Sequence, residues 1–149
     1  MTISELISAN NILCNTDCHS KKRALETAAT QLGKHFESLD ENQLFTALIA
    51  RERLGSTGLG NGIAIPHCHI EGIDRPVALL ATLEKPIDFD AIDGKPVDVM
   101  FVLVVPDGEE QQHLDTLAAI VECFSNSELL NQLRGANSTE ELEKLMANR

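Results

Sequence analysis

Between residues 20 and 36 the apolar positions Leu25, Ala28, Ala29, Leu32 and Phe36 recur at helical spacing, and Ser20 stands where its hydroxyl can accept a free N–H of the first turn. This predicts an amphipathic helix. A second opens at Asp40, with Gln43 completing a pair like a capping box. It carries Leu44, Phe45, Leu48 and Ile49 to about Leu54 and is closed by Gly55. Residues 55–62, GSTGLGNG, break the helical pattern and read as a loop. Ile63, Ala64 and Ile65 follow as a short buried strand stopped by Pro66, which puts His67 just past a strand end.

Val77 to Leu83 and Val97 to Val105 are nearly continuous β-rich runs, the second apolar on both faces as a central strand would be. Asp93-Gly94 marks a turn between them. Beyond Pro106-Asp107-Gly108 a helix is predicted with Leu114, Leu117, Ala118, Val121 and Phe124 as its buried stripe; His113, near its first turn and off the centre of that stripe, can face a cleft. Ser127 to Arg134, closed by Gly135, and a final helix opened by the pair Ser138 and Glu141 complete the pattern. Interleaved helices and strands imply an α/β fold with a mixed β-sheet flanked by helices, formed by residues 1–149 as a single domain.

Composition narrows the function. Hydrophobic residues make up 43% of 149, enough for a core without cross-links. A net charge of -11 argues against a nucleic-acid partner and against anionic membranes, both of which are gripped through Lys and Arg. No apolar run is long enough to span a bilayer and the first residues lack the basic and apolar segments of a secretory signal, so a cytoplasmic address is expected. The four cysteines, Cys14, Cys18, Cys68 and Cys123, are irregularly spaced and expected to be reduced. Although His67-Cys68-His69 places two imidazoles on one face, no second ligand pair stands at a metal-like spacing, so no metal is expected.

Chemistry-bearing residues concentrate between Arg51 and His67: two arginines, a glycine-rich loop with Ser56, Thr57 and Asn61, and a histidine. Converging N–H groups in such a loop can cradle an anion, though on composition alone a loop that merely turns tightly is the simpler reading. The segment lacks the lysine of a Walker loop, and its GLGNG follows a helix where a dinucleotide fingerprint would open one.

The residues Glu52, Leu59, Gly60, Ile63, Ala64, Ile65, Pro66, His67 and Cys68 resemble, position by position, the active-histidine signature of the mannitol- and fructose-type enzyme IIA family (PTS EIIA type 2) of the bacterial phosphotransferase system. The phrases LIARERLGSTGLGNGIAIPH and FDAIDGKPVDVMFVLVVP are similar to its nitrogen-related branch, so the resemblance spans nearly the whole chain. It implies that His67 takes a phosphoryl group from an HPr-like phosphocarrier, chemistry suited to a neutral imidazole. It also implies that His113 donates to the phosphoryl group and that Arg51, with Arg53 as the fallback, supplies fixed positive charge. A phosphotransferase-system component of this kind has no cofactor and no small-molecule turnover of its own. Potassium-transport or sensor-kinase regulators are implied as partners. Two rivals stand beside this reading: a sugar-specific IIA passing phosphate to a separate IIB, and a binding module that has lost phosphotransfer. Cys68, next to the acceptor, raises the further idea of an oxidant-sensitive site.

Overall fold

The computed structural model describes residues 2–149. A mixed sheet runs in the order β1 (Ile12–Thr16), β5 (Val77–Ile87), β6 (Val97–Pro106), β3 (Ile63–Ala64), β2 (Gly58–Gly60), with β4 (His67–Ile70) also paired to β6. β5 and β6 are antiparallel, whereas β1 runs parallel to β5, and β3 and β4 run parallel to β6. β6 is central, and its side chains from Val99 to Val105 are buried on both faces, as its unbroken apolar run predicts.

Helices cover both faces. α2 (Lys21–His35) and α3 (Glu41–Leu54) pack on one, burying Leu25, Leu32, Leu44 and Leu48 against Cys68, Leu79 and Met100 of the sheet. Their N-termini are capped as expected: Ser20 accepts from the Arg23 N–H at 3.2 Å and Asp40 from the Gln43 N–H at 2.8 Å. On the other face lie α1 (Ile3–Leu6), α4 (Glu110–Phe124), α5 (Ser127–Gly135) and α6 (Thr139–Met146), around Ile63, Ile65, Phe101 and Leu103.

Five features differ from the sequence reading. β3 and β4 share one constant register along β6, Ala64 opposite Met100 and His67 opposite Leu103. They are one strand interrupted where Pro66 has no N–H to contribute; His67 therefore begins a strand instead of lying past the end of one. Residues 58–60 of the expected loop form β2, a short hairpin arm against β3. β1 and α1 at the start of the chain, which carry no strong periodicity, were not anticipated, and β5 runs on to Ile87. The buried line of α4 is His113, Ile120 and Phe124 with Leu117 half-buried, one position round from the expected stripe, which leaves Leu114 and Val121 exposed at 60% and 36%.

The β2–β3 turn depends on left-handed backbone at Gly60, Asn61 and Gly62, with φ of 101, 58 and 83°. The Gly62 carbonyl accepts from the N–H groups of Asp98 and Val99, both at 3.0 Å, and Arg134 crosses the turn to bond Asp98 and the Asn61 carbonyl. A Cβ at Gly62 would collide with the Arg134 guanidinium and sit 2.8 Å from Asp98 Oδ1. Gly62→Ala is therefore expected to cost about 2–3 kcal/mol in a denaturant melt, combining backbone strain with a broken ion pair. An unchanged midpoint would contradict that account of the turn.

Candidate functional site

The pleat of β4 alternates its side chains: Cys68 and Ile70 enter the core beneath α2 and α3, while His67 and His69 turn to the face that carries α4. There they open onto a cleft of about 180 Å³ with Leu103 and Val105 of β6 and His113 and Leu117 of α4. Glu110 and Leu114 of α4 complete its rim. α4 is anchored above the sheet by Ile120 and Phe124, each contributing roughly 1.5–3 kcal/mol by burial, and the anchoring holds His113 over β4.

His67 is half-buried, and its Nδ1 lies 2.9 Å from the Ile65 carbonyl oxygen. A carbonyl only accepts, so Nδ1 carries the hydrogen and Nε2 is left with its lone pair. Burial lowers the pKa of the ring below its usual 6.5; the Ile65 contact opposes that shift and the Arg51 charge adds to it. The imidazole is neutral and nucleophilic at neutral pH. Since the cation is disfavoured only in the folded chain, the residue's contribution to stability is present in full above its ordinary 6.5 and declines as pH falls through the window beneath that value. An NMR titration is expected to place the His67 midpoint below 6.5, and Arg51→Met to move it upward; a midpoint above the ordinary value would contradict this electrostatic picture.

His113 is 7% exposed, and its buried Nδ1 has no hydrogen-bond partner. Such an atom is costly unless something meets it. His69, exposed on the same face as His67, lies with its ring 5.5 Å from that of His113 in an edge arrangement. The sequence reading weighed His69 only as a metal ligand; the period-two alternation from His67 was the signal that placed it in the cleft. Among the described residues no group of three or more His, Cys, Asp or Glu side chains is arranged to hold a metal ion.

Of the three expected site residues, His67 and His113 share the cleft, whereas Arg51, in the last turn of α3, does not line it. Its Nη1 donates to the Gly55 carbonyl at 2.9 Å, and its charge is felt at His67. Arg53 faces away, into a separate hollow with Lys21, Lys22 and Asp90. Cys68 is 4% exposed and its thiol is pushed up to about 12 by burial, which runs against the idea of an oxidant-sensitive thiolate. Glu52, 8% exposed, lies next to Arg51 in α3; in the sequence it is marked only as a match to the family signature.

A neutral histidine with one nitrogen tied to the backbone and the other free thus shares a cleft with a second imidazole on the α4 face of the mixed sheet. The chain belongs to the EIIA 2 family of the phosphoenolpyruvate-dependent sugar phosphotransferase system, whose family model matches residues 5–149. Within that family it is similar over its length to nitrogen regulatory proteins. The one from Pseudomonas aeruginosa is 39% identical over 144 residues, 97% of this chain and 94% of the relative. The crystal structure of the nitrogen regulatory protein IIA-Ntr from Neisseria meningitidis superposes with a TM-score of 0.90 at 36% identity, covering 97% of this chain and 99% of that one. Escherichia coli mannitol IIA, in its complex with phosphorylated mannitol IIB, has the same fold, with a TM-score of 0.78 at 19% identity over 96% of this chain and 98% of that one.

Proposed function

We propose that this chain is a phosphoryl carrier of a nitrogen-related phosphotransferase system, loaded at Nε2 of His67 by the phosphohistidine of an HPr-like protein. The single observation that carries the reading is the hydrogen bond from His67 Nδ1 to the Ile65 carbonyl, which leaves Nε2 as the nucleophile. Its lone pair attacks phosphorus in line, the P–N bond of the donor breaks, and the donor imidazole keeps that electron pair. The new phosphoimidazole carries positive charge, which the Nδ1–H shares with the Ile65 carbonyl dipole. His113 offers an N–H toward the phosphoryl oxygens, and Arg51 adds its fixed positive charge.

In this reading residues 1–149 work as one domain, in the cytoplasm and without a cofactor; no helix among the described residues is long and apolar enough to cross a membrane. The exposed Leu114 at the cleft rim and Val121 further along α4 suit an apolar patch on a partner protein. Loading adds roughly one and a half to two negative charges at that rim, enough to repel an acidic regulator or recruit a basic one. Potassium-transport and sensor-kinase regulators are the partner classes we assign to it.

Incubation with phosphoenolpyruvate, enzyme I and an HPr-like carrier, followed by challenge with fructose and mannitol IIB domains, tests both halves. Labelling without rapid passage to either IIB is the expected result. Failure to label would overturn the carrier reading, and fast, specific transfer to a IIB would replace regulation with sugar transport.

A further inference from the structure

Glu52 is a buried carboxylate that the transfer step does not use. Burying such a charge is costly unless donors surround it, and here three do. Lys21 Nζ, at the first residue of α2, lies 2.9 Å from Oε2, and the backbone N–H of Thr57 donates to Oε1 at 3.2 Å. The Thr57 hydroxyl donates to the same Oε1. Lys21 is itself fixed over the Phe89 ring at 5.0 Å from its centroid, with Asp90 at 3.6 Å. Thr57, 5% exposed, then uses its carbonyl to accept the Ile65 N–H at 3.0 Å. Ile65 in turn accepts from His67 Nδ1 at 2.9 Å.

These contacts form one unbroken path from the ion pair between α2 and α3 to the ring of the phosphoryl acceptor. The path crosses the chain where it most needs support. Between β3 and β4 the strand is interrupted at Pro66, and Ile65 is held there from the β2 side by Thr57. A loose Ile65 would let its carbonyl turn away from His67, and the ring would then exchange its proton between the two nitrogens.

We infer that Lys21, Glu52 and Thr57 are positioning residues that lock the Ile65 carbonyl onto His67 and so keep the ring in the tautomer with a free Nε2. The inference rests on the reading of His67 as acceptor, but its primary readout does not. Thr57→Val is the principal test, because it removes the hydroxyl donor at nearly constant shape and leaves every charge in place; Thr57→Ser restores that donor.

In 15N spectra of histidine-labelled protein, wild type is expected to show His67 as a single Nδ1–H tautomer. Thr57→Val and Glu52→Ala should show a mixture, and Thr57→Ser the wild-type pattern. Phosphoryl transfer in Thr57→Val should slow about tenfold with the KM for the carrier unchanged, the scale set by one buried acceptor left short of a partner. Should Glu52→Ala fail to fold, Thr57→Val carries the test alone. A wild-type tautomer signature in folded Thr57→Val would overturn the inference, as would a loss confined to KM. A tautomer shift in a protein that the carrier never labels would uphold the locking role and withdraw the carrier function.

Discussion

His67→Ala is expected to abolish labelling from phosphoenolpyruvate through enzyme I and the HPr-like carrier, leaving less than about a thousandth of the wild-type signal. The size of the loss follows from how specific the arrangement is. Of five histidines, His19 and His35 are exposed on the surface away from the cleft, and His113, which lines it, is 7% exposed with a buried Nδ1. His69 does reach the cleft, yet no backbone carbonyl among the described residues holds one of its nitrogens as Ile65 holds Nδ1 of His67. His69→Ala should accordingly still label, which makes it the control for damage to the cleft. Undiminished labelling of His67→Ala would remove the site assignment.

His113→Ala should slow transfer about a hundredfold while leaving the KM for the carrier nearly unchanged, the pattern of a donor used chiefly in the transition state. The unpartnered, buried Nδ1 is the basis for the expectation. A side chain kept only for packing would gain nothing from an unmet polar atom, and its removal would lower stability while sparing the rate. Here the reverse is expected, with a melting temperature close to wild type because a buried group without a partner is deleted. Stopped-flow transfer together with a thermal melt separates the two. A wild-type rate would take His113 out of the mechanism.

Much of this molecule could be read from its residues, and what could not has local causes. Ser20, Asp40 and Ser138 each cap the helix that follows, because a single hydroxyl or carboxylate decides where the chain turns helical. The central strand β6 declared itself by an apolar run long enough to be buried on both faces. β2 stayed hidden because its sequence, Gly-Leu-Gly, has almost no side chains with which to signal a strand, and it pairs only because β3 lies beside it. α4 carries two overlapping apolar lines that share Leu117 and Phe124; which of them is buried depends on the sheet beneath, and local spacing cannot choose. That one-position rotation is what buries His113 and exposes Leu114.

The same contrast holds at the site. His67, His113 and Arg51 were named through likeness to a signature, and two of the three meet in one cleft. Glu52 belonged to that signature too, but its surroundings come from Lys21 and Thr57, residues whose approach depends on how α2 packs against α3. Long-range burial of a charge leaves no periodic trace. Nor did the tautomer of His67 follow from composition, since it depends on where the folded backbone aims the Ile65 carbonyl.

The central claim is that the phosphoryl group is carried on one particular nitrogen. Phosphorus–nitrogen couplings in 15N-histidine protein loaded by the carrier report it directly. The account predicts a single phosphohistidine, at His67, coupled through Nε2 with Nδ1 protonated. Coupling through Nδ1, or a phosphoryl group on another histidine, would contradict it.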